Sequence, residues 1–230
     1  MREIVLDTET TGFDPETGDR IVEIGAIELL NLMPTGRTYH QYVNPGRAMP
    51  ASAFEVHGLS DEFLRDKPAF REIGRAFLDF VQDARLVIHN ASFDMKFLTW
   101  ELRTAGLPPI PMSQALDTLE LARRKYPGSP ATLDALCRRF GIDNSARTKH
   151  GALLDCELLS EVYLELTGGR QPGLVLDMVA GTAAGGEGGP WVPRPRPRPL
   201  PPRLTEAEAE AHARFIAGLG EGAVWRRYQS

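Results

Sequence analysis

The 230-residue sequence has few cysteines and no long apolar run. Its two cysteines, Cys137 and Cys156, lie far apart and form no CxxC pair, so we expect buried, reduced thiols rather than a disulfide framework. No uninterrupted apolar stretch approaches the ~20 residues of a membrane span. Strand-like sequence begins at once, which leaves no room for a secretory leader. These absences favour a cytoplasmic protein.

The chain also lacks an excess of basic residues. Its formal net charge is −5, which argues against a protein that holds nucleic acid on a broad basic surface. An enzyme that obtains positive charge from bound metal ions is compatible with this balance. With 42% hydrophobic and 25% charged residues, the composition is that of an ordinary globular protein.

Three strand-like segments open the chain, and strands alternating with helices follow. The segments REIVLD, RIVEIGAIELL and RTYHQYVNP are joined by short links, which predicts an antiparallel meander. Beyond Ser60 the apolar residues recur every three to four positions, and the strands RLVIHN and QALDT alternate with helical segments. The sequence therefore predicts an α/β fold with a mixed sheet covered by helices.

The composition changes near residue 169. Glycine is frequent over residues 181–189, and PWVPRPRPRPLPPR alternates proline with arginine, which is typical of an extended spacer. The segment LTEAEAEAHARFIAGLG regains helical character, and Thr205 followed by Glu208 predicts a capping box. We therefore expect a folded domain over residues 1–168, a linker over 169–203, and a segment over 204–230 that docks on another surface.

Carboxylates stand at the ends of several predicted elements. In IVLDTE, Asp7 and Glu9 are two residues apart, so they point to the same face of a strand, where like charges repel. Asp94 follows the strand RLVIHN in the first turn of the next helix, where its charge also suits the helix dipole. In HGALLD, a helix that begins just after His150 would leave this histidine on a loop and project Asp155 toward the sheet.

These four acids favour a site for hard divalent cations. Carboxylate oxygens are the ligands that Mg²⁺ and Mn²⁺ prefer, and such cations would relieve the repulsion between Asp7 and Glu9. Two cations about 3.5–4 Å apart can clamp the attacking and leaving oxygens of a phosphoryl displacement. A neutral imidazole is suited to accept a proton from the attacking water, and we assign that role to His150.

In these motifs the chain resembles the DEDDh family of 3′–5′ exonucleases, and within it the proofreading epsilon subunits of bacterial DNA polymerase III. DTETTG, HNASFD and HGALLD match the three family motifs in order, over roughly the first 168 residues. The resemblance implies an RNase H-like fold and hydrolysis that releases nucleoside monophosphates from a DNA 3′ end, single-stranded or frayed. It also implies two Mg²⁺ or Mn²⁺ ions held by Asp7, Glu9, Asp94 and Asp155, with His150 as general base.

The resemblance further implies contacts with the terminal nucleotide. Val56 and Phe93 are suited to pack on its base and sugar, although core packing is an alternative role for both. Thr10 and His57 offer polar contacts to the 3′ end. Contacts of this kind carry little sequence preference, as a proofreader requires.

Protein partners are implied beyond the catalytic domain. Gln171, Leu174 and Leu176 in QPGLVL are similar to the short peptide by which bacterial replication proteins bind the sliding (beta) clamp. The proline-rich tether and terminal helix are similar to the tail by which epsilon subunits attach to the catalytic alpha subunit of the polymerase, and a tether raises the local concentration of nuclease. The resemblance leaves open whether a small third core subunit binds the catalytic domain.

Two other functions fit parts of the sequence. A free-standing DEDDh exoribonuclease or RNA-trimming nuclease would use the same metal site, but it needs neither a clamp peptide nor a long tether. A nuclease-dead scaffold that joins clamp and polymerase would have lost a metal ligand or the histidine, and all five of these residues are present. The sequence therefore predicts a proofreading exonuclease.

Overall fold

A five-stranded mixed sheet forms the centre of the N-terminal domain in a computed structural model, which describes residues 1–169, 204–220 and 224. Its strands are β1 (Arg2–Thr10), β2 (Ile21–Leu30), β3 (Met33–Tyr42), β4 (Arg85–Ile88) and β5 (Ala115–Asp117). In the order β3-β2-β1-β4-β5, the first three strands are antiparallel and β4 is parallel to both β1 and β5. The predicted meander and mixed sheet are confirmed.

Seven α-helices accompany the sheet within residues 1–169. They are α1 (Ala51–His57), α2 (Asp61–Leu64), α3 (Phe70–Val81), α4 (Ala91–Thr104), α5 (Thr118–Lys125), α6 (Leu133–Phe140) and α7 (Ala152–Thr167). The separate segment 204–220 contains α8 (Glu206–Gly218), whose N-terminus has the predicted reciprocal capping bonds between Thr205 and Glu208. Among the described residues, no helix is both long and apolar enough to cross a bilayer.

Alternating side chains of β1 supply two hydrophobic cores, one on each face of the sheet. Ile4 and Leu6 pack with buried residues of α3 and α4, whereas Val5 packs with residues of α6 and α7. Both cysteines are buried, as predicted, and both are free. Because β1 is covered on both faces, its end lies between the two helical layers.

Gly25 allows α7 to approach the sheet closely. It lies opposite Asp7 in the pairing of β1 with β2, and a Cβ atom there would stand 2.3 Å from the carbonyl carbon of Ala152. The Cys156 thiol donates a hydrogen bond to the Gly25 carbonyl at 3.1 Å. Since α7 begins at Ala152 and carries Asp155, this contact brings Asp155 beside the end of β1.

We expect Gly25→Ala to destabilise the domain by about 1–3 kcal/mol, the usual cost of overpacking, and to weaken divalent cation binding by shifting Asp155. Thermal unfolding and Mn²⁺ titration measure the two effects. Gly151→Ala is the matched control, because a Cβ at Gly151 would meet nothing within 4 Å. Equal unfolding temperatures for the two variants would contradict the prediction.

Two elements differ from the sequence prediction. β3 begins at Met33, ahead of the predicted RTYHQYVNP, because Asn31 and Leu32 form a tight link with φ of 52° and 68°. β3 is an edge strand of the sheet, which is where proline is tolerated, and it contains Pro34. Helix α1 is not predicted at all, because its apolar Phe54 and Val56 are exposed and leave no buried stripe in the sequence.

Candidate active site

The four predicted acids converge at one end of the sheet. Asp7 and Glu9 come from the last residues of β1, Asp94 from the first turn of α4 and Asp155 from the first turn of α7. Together with His150, which lies on the loop before α7, they line the same cavity of about 940 Å³. The structure thus brings together the residues predicted as metal ligands and general base.

Glu9 is held in an unfavourable electrostatic setting. It lies directly opposite Glu23 in the β1–β2 pairing, beside an irregularity of register between Glu9 and Thr10. Glu23 has a partner of its own, since its Oε1 lies 2.7 Å from His40 Nε2. The buried Oε1 of Glu9 has no hydrogen-bond partner among the residues that the structure describes. A buried carboxylate oxygen is costly without a partner, and a cation would supply one.

Asp94 is positioned by the strand end and by a helix cap. Its Oδ1 accepts hydrogen bonds from the Thr8 amide at 3.0 Å and the Thr8 hydroxyl at 2.7 Å. Asn90 begins α4 with φ of 68°, a conformation that asparagine tolerates better than most residues. Asp117, which the sequence analysis does not single out, accepts hydrogen bonds from the Asn90 and Ala91 amides, each at 3.1 Å. It therefore fixes the helix that presents Asp94.

Asp155 is held by Arg147, another residue that the sequence analysis does not single out. Arg147 Nε donates to Asp155 Oδ1 at 2.6 Å and Nη2 donates to Oδ2 at 2.7 Å. Arg147 Nη1 donates to Asp134 Oδ1 at 2.9 Å. Arginine on a polar loop is common, and only the contact with Asp155, a predicted metal ligand, reveals its role.

His150 stands at the mouth of the cavity. Its side chain is 48% exposed, and its Nδ1 lies 3.4 Å from Asp155 Oδ2. Its main-chain amide donates to the Val56 carbonyl at 3.1 Å, which ties the loop to α1. As predicted, α7 begins after His150, so the histidine is a loop residue next to Asp155 and not a helical one.

Burial and mutual repulsion raise three carboxylate pKa values. Burial, followed by the charges of Asp94 and Glu9, raises the pKa of Asp7 well above its ordinary value. Burial, followed by repulsion from Asp155, raises the pKa of Glu9 to about 8. Burial also raises the pKa of Asp94 to about 7, although the bonds from Thr8 act in the opposite direction. Acids in this condition gain a large electrostatic benefit from a divalent cation.

Asp155 behaves differently from the other three acids. Burial would raise its pKa, but the contacts with His150 and Arg147 and the positive charge of Arg147 outweigh burial, and the pKa is lowered. Asp155 is therefore the carboxylate of the site that already has a cationic partner.

The residues predicted to hold the terminal nucleotide line the same cavity. Val56 is exposed to it and is not a core residue. Phe93 is partly buried, with ring centroids 5.1 Å from Phe97 and 6.5 Å from Phe13. The Thr10 hydroxyl donates to the Gly12 carbonyl at 2.6 Å, and His57 is buried in the wall. Their contacts with a nucleotide remain a prediction, and Gln171, Leu174 and Leu176 lie outside the described residues.

The donor set fits divalent cations. Glu9, His150 and Asp155 each place one potential ligand atom within 4.8 Å of the others. Carboxylate oxygens dominate the cavity end, one of them is buried without a partner, and three of the acids have raised pKa values. These features suit an oxygen-ligated metal centre.

Comparison with known proteins gives matching results at the levels of sequence and fold. The family described as Exonuclease matches residues 4–163. The DNA polymerase III subunit epsilon of Rickettsia felis is 58% identical over 174 residues, which cover 74% of this chain and 76% of the relative. The Haemophilus influenzae protein of the same name is 50% identical over 175 residues, covering 74% of this chain and 68% of the relative.

A solved structure shares the fold. The nuclease domain of 3′hExo, described as a DEDDh family member bound to rAMP, superposes with a TM-score of 0.63 at 18% identity, covering 72% of this chain and 90% of that one. This likeness confirms the predicted RNase H-like fold. Members of the DEDDh family generally use two divalent metal ions, in agreement with the acidic cavity seen here.

Proposed function

The chain belongs to the exonuclease family, with DNA polymerase III epsilon subunits among its relatives, and we propose that it is a proofreading 3′–5′ exonuclease acting on DNA in the cytoplasm. The observation that carries the proposal is the convergence of Asp7, Glu9, Asp94, Asp155 and His150 in one cavity. Relatives more than half identical to the chain and named for a DNA polymerase favour DNA over RNA as the substrate.

The four acids are the proposed ligands of two divalent cations, Mg²⁺ or Mn²⁺. When bound, such cations neutralise charge on a scissile phosphate and make a water molecule more acidic. Thr8 orients Asp94 through two hydrogen bonds, and Arg147 orients Asp155 through two more. The protein thus contributes carboxylates whose positions are set before substrate arrives.

His150 is the proposed general base. Its exposed ring lies at the cavity mouth next to Asp155, where an attacking water would meet the 3′-terminal phosphodiester. Val56 and Phe93 would pack on the terminal base and sugar, and Thr10 and His57 would contact the 3′ end, since all four line this cavity. An unpaired terminus reaches this site at lower cost than a paired one, so a mismatch is removed preferentially.

A labelled primer annealed to a template tests the function directly. The 3′ terminus is matched or mismatched, RNA of the same sequence serves as the second substrate, and reactions contain Mg²⁺, Mn²⁺ or chelator. We expect stepwise release of nucleoside monophosphates, faster from the mismatch than from the matched end, slower on RNA and absent in chelator. His150→Ala should abolish release, whereas Asp83→Asn, at an exposed acid outside the cavity, should not.

The RNA arm of this assay examines the alternative function. A DEDDh member solved with rAMP shares the fold of this chain, but at 18% identity that likeness concerns the fold alone. Faster trimming of RNA than of DNA would replace proofreading by RNA processing. No cleavage of either substrate by folded, metal-supplied protein would replace the enzyme by a scaffold.

We also propose that QPGLVL binds the sliding clamp. Glutamine followed by two spaced leucines can enter a hydrophobic groove. Gln171→Ala combined with Leu174→Ala should weaken clamp binding at least about tenfold, which corresponds to the loss of about 1.4 kcal/mol, and leave nucleotide release unchanged. Surface plasmon resonance on immobilised clamp measures the clamp affinity. Arg170→Ala combined with Pro172→Ala is the control in the same segment. Unchanged clamp affinity would remove the proposal.

The terminal segment 204–230 is the proposed attachment to the polymerase alpha subunit. Phe215 and Leu219 of this segment are exposed apolar residues that a partner would cover. Truncation after Gly169 should keep the unfolding temperature and the rate of nucleotide release, and should abolish capture by alpha in a pull-down. Capture of the truncated protein would show that the domain over residues 1–168 makes the main contact.

A further inference from the structure

Arg147 joins three functional groups, one on α6 and two at or just before the start of α7. Its guanidinium donates to both oxygens of Asp155, to Asp134 on α6 and, through Nη2, to His150 Nδ1 at 2.8 Å. The Arg147 side chain is only 9% exposed. An arginine so enclosed, with partners on all three of its nitrogens, is fixed in place.

We propose that Arg147 is a positioning residue that holds Asp155 and His150 as one unit against α6, and that its guanidinium competes with a divalent cation for the Asp155 carboxylate. The inference rests on the proposed role of Asp155 as a metal ligand. Both oxygens of Asp155 accept from Arg147 at 2.6 and 2.7 Å. A cation that takes either oxygen must therefore share it with the guanidinium or displace one of these bonds.

Asp134 would still hold the Arg147 guanidinium if an oxygen of Asp155 bound a divalent cation instead. The Asp134 carboxylate lies outside the group of the four acids, on α6, and accepts from Arg147 Nη1 and from the Asn144 side chain. The 141–150 loop is thereby tied to α6 at two points that do not involve Asp155. Release of one Asp155 oxygen would leave Arg147 in place.

The same guanidinium controls the availability of His150. Arginine can only donate, so His150 Nδ1 accepts, and a neutral imidazole then carries its proton on Nε2. Nη2 serves both Nδ1 and Asp155 Oδ2. A cation that replaces Nη2 on Asp155 Oδ2 therefore acts on the same nitrogen that occupies the histidine lone pair, which couples cation binding to the general base.

Mn²⁺ titration of the full chain by calorimetry, with no nucleic acid present, tests the competition. Arg147→Gln should bind Mn²⁺ about three- to tenfold more tightly than the wild type, because the positively charged guanidinium that competes for Asp155 is removed. Arg147→Lys keeps the positive charge but loses the planar guanidinium. Its Mn²⁺ affinity should lie between those of the wild type and Arg147→Gln. Arg123→Gln removes an exposed positive charge that lines the same cavity, and should change affinity less than about twofold. Unchanged or weaker binding by Arg147→Gln would overturn the proposal.

A second measurement needs no variant. In chelator, ¹⁵N spectra of wild-type histidines should show His150 protonated on Nε2 with Nδ1 as acceptor, and Mg²⁺ should shift the Nδ1 signal. A proton on Nδ1, or an Nδ1 signal that Mg²⁺ leaves unchanged, would overturn the coupling. Failure of the wild type to bind Mn²⁺ would sink the proposed metal-dependent function as well, whereas normal wild-type binding with no gain in Arg147→Gln would sink only the role of Arg147.

Discussion

Replacement of Asp7 by asparagine is expected to lower the rate of nucleotide release from a DNA 3′ end by at least about a thousandfold. Asp7 lies in the middle of the acidic cluster, where its charge interacts with Asp94, Glu9 and Asp155. An amide presents one neutral oxygen in place of the carboxylate, and loss of several kcal/mol of charge stabilisation corresponds to a rate loss of about this size. The labelled mismatched primer with Mg²⁺ provides the measurement.

The same substitution should stabilise the protein in chelator, which separates a lost ligand from a damaged fold. Asparagine removes one of the mutually repelling charges at nearly constant volume, so the unfolding temperature should rise by a few degrees. Asp83→Asn again serves as the control and should change neither quantity. A variant that keeps more than about one tenth of the wild-type rate, or one that unfolds earlier than the wild type, would contradict this account of Asp7.

Stability in chelator is expected to fall as pH rises from about 5.5 to 8. The folded-state pKa values of Glu9 and Asp94, about 8 and about 7, lie above their ordinary values, and that of Asp7 is raised too. Folding therefore retains protons that the unfolded chain releases at lower pH. This stabilising contribution is complete below the unfolded-state pKa values and is lost as pH rises through the folded-state values.

Thermal unfolding in chelator should show a decrease of about 5 °C or more across this range. Mg²⁺ or Mn²⁺ should raise the unfolding temperature more at pH 8 than at pH 5.5, because binding requires the ionised carboxylates. Glu9→Gln should flatten the decrease, since it removes the group whose pKa is raised to about 8. An unfolding temperature that stays level or increases with pH in the wild type would show that the acids are ionised without a cation.

Much of the catalytic site could be predicted, because local sequence determines the positions of its residues. Asp7 and Glu9 belong to a strand whose apolar alternation is continuous, and Asp94 follows a helix start whose signals lie within a few residues. The boundary of α7 just after His150 was likewise readable from the motif HGALLD. In each case the residue and the signal that places it are neighbours in sequence.

The remainder depends on tertiary contacts between side chains. Arg147 and Asp134 acquire their roles only through Asp155, and no local pattern distinguishes them from solvated loop and helix residues. Helix α1 escaped prediction for a related reason, since Phe54 and Val56 are both exposed and Val56 lines the cavity. Side chains kept exposed for a ligand lack the periodic burial from which helices are predicted.

The close packing of α7 against Gly25 has a consequence for biosynthesis. The first two acids of the site lie near residue 10, whereas Asp155 arrives on the last helix of the domain. Chains emerge from the ribosome in order, and domains fold as units when their last elements become available. A nascent chain therefore cannot degrade nucleic acid until α7 has emerged and docked. Each new molecule acquires nuclease activity only once the whole domain has folded.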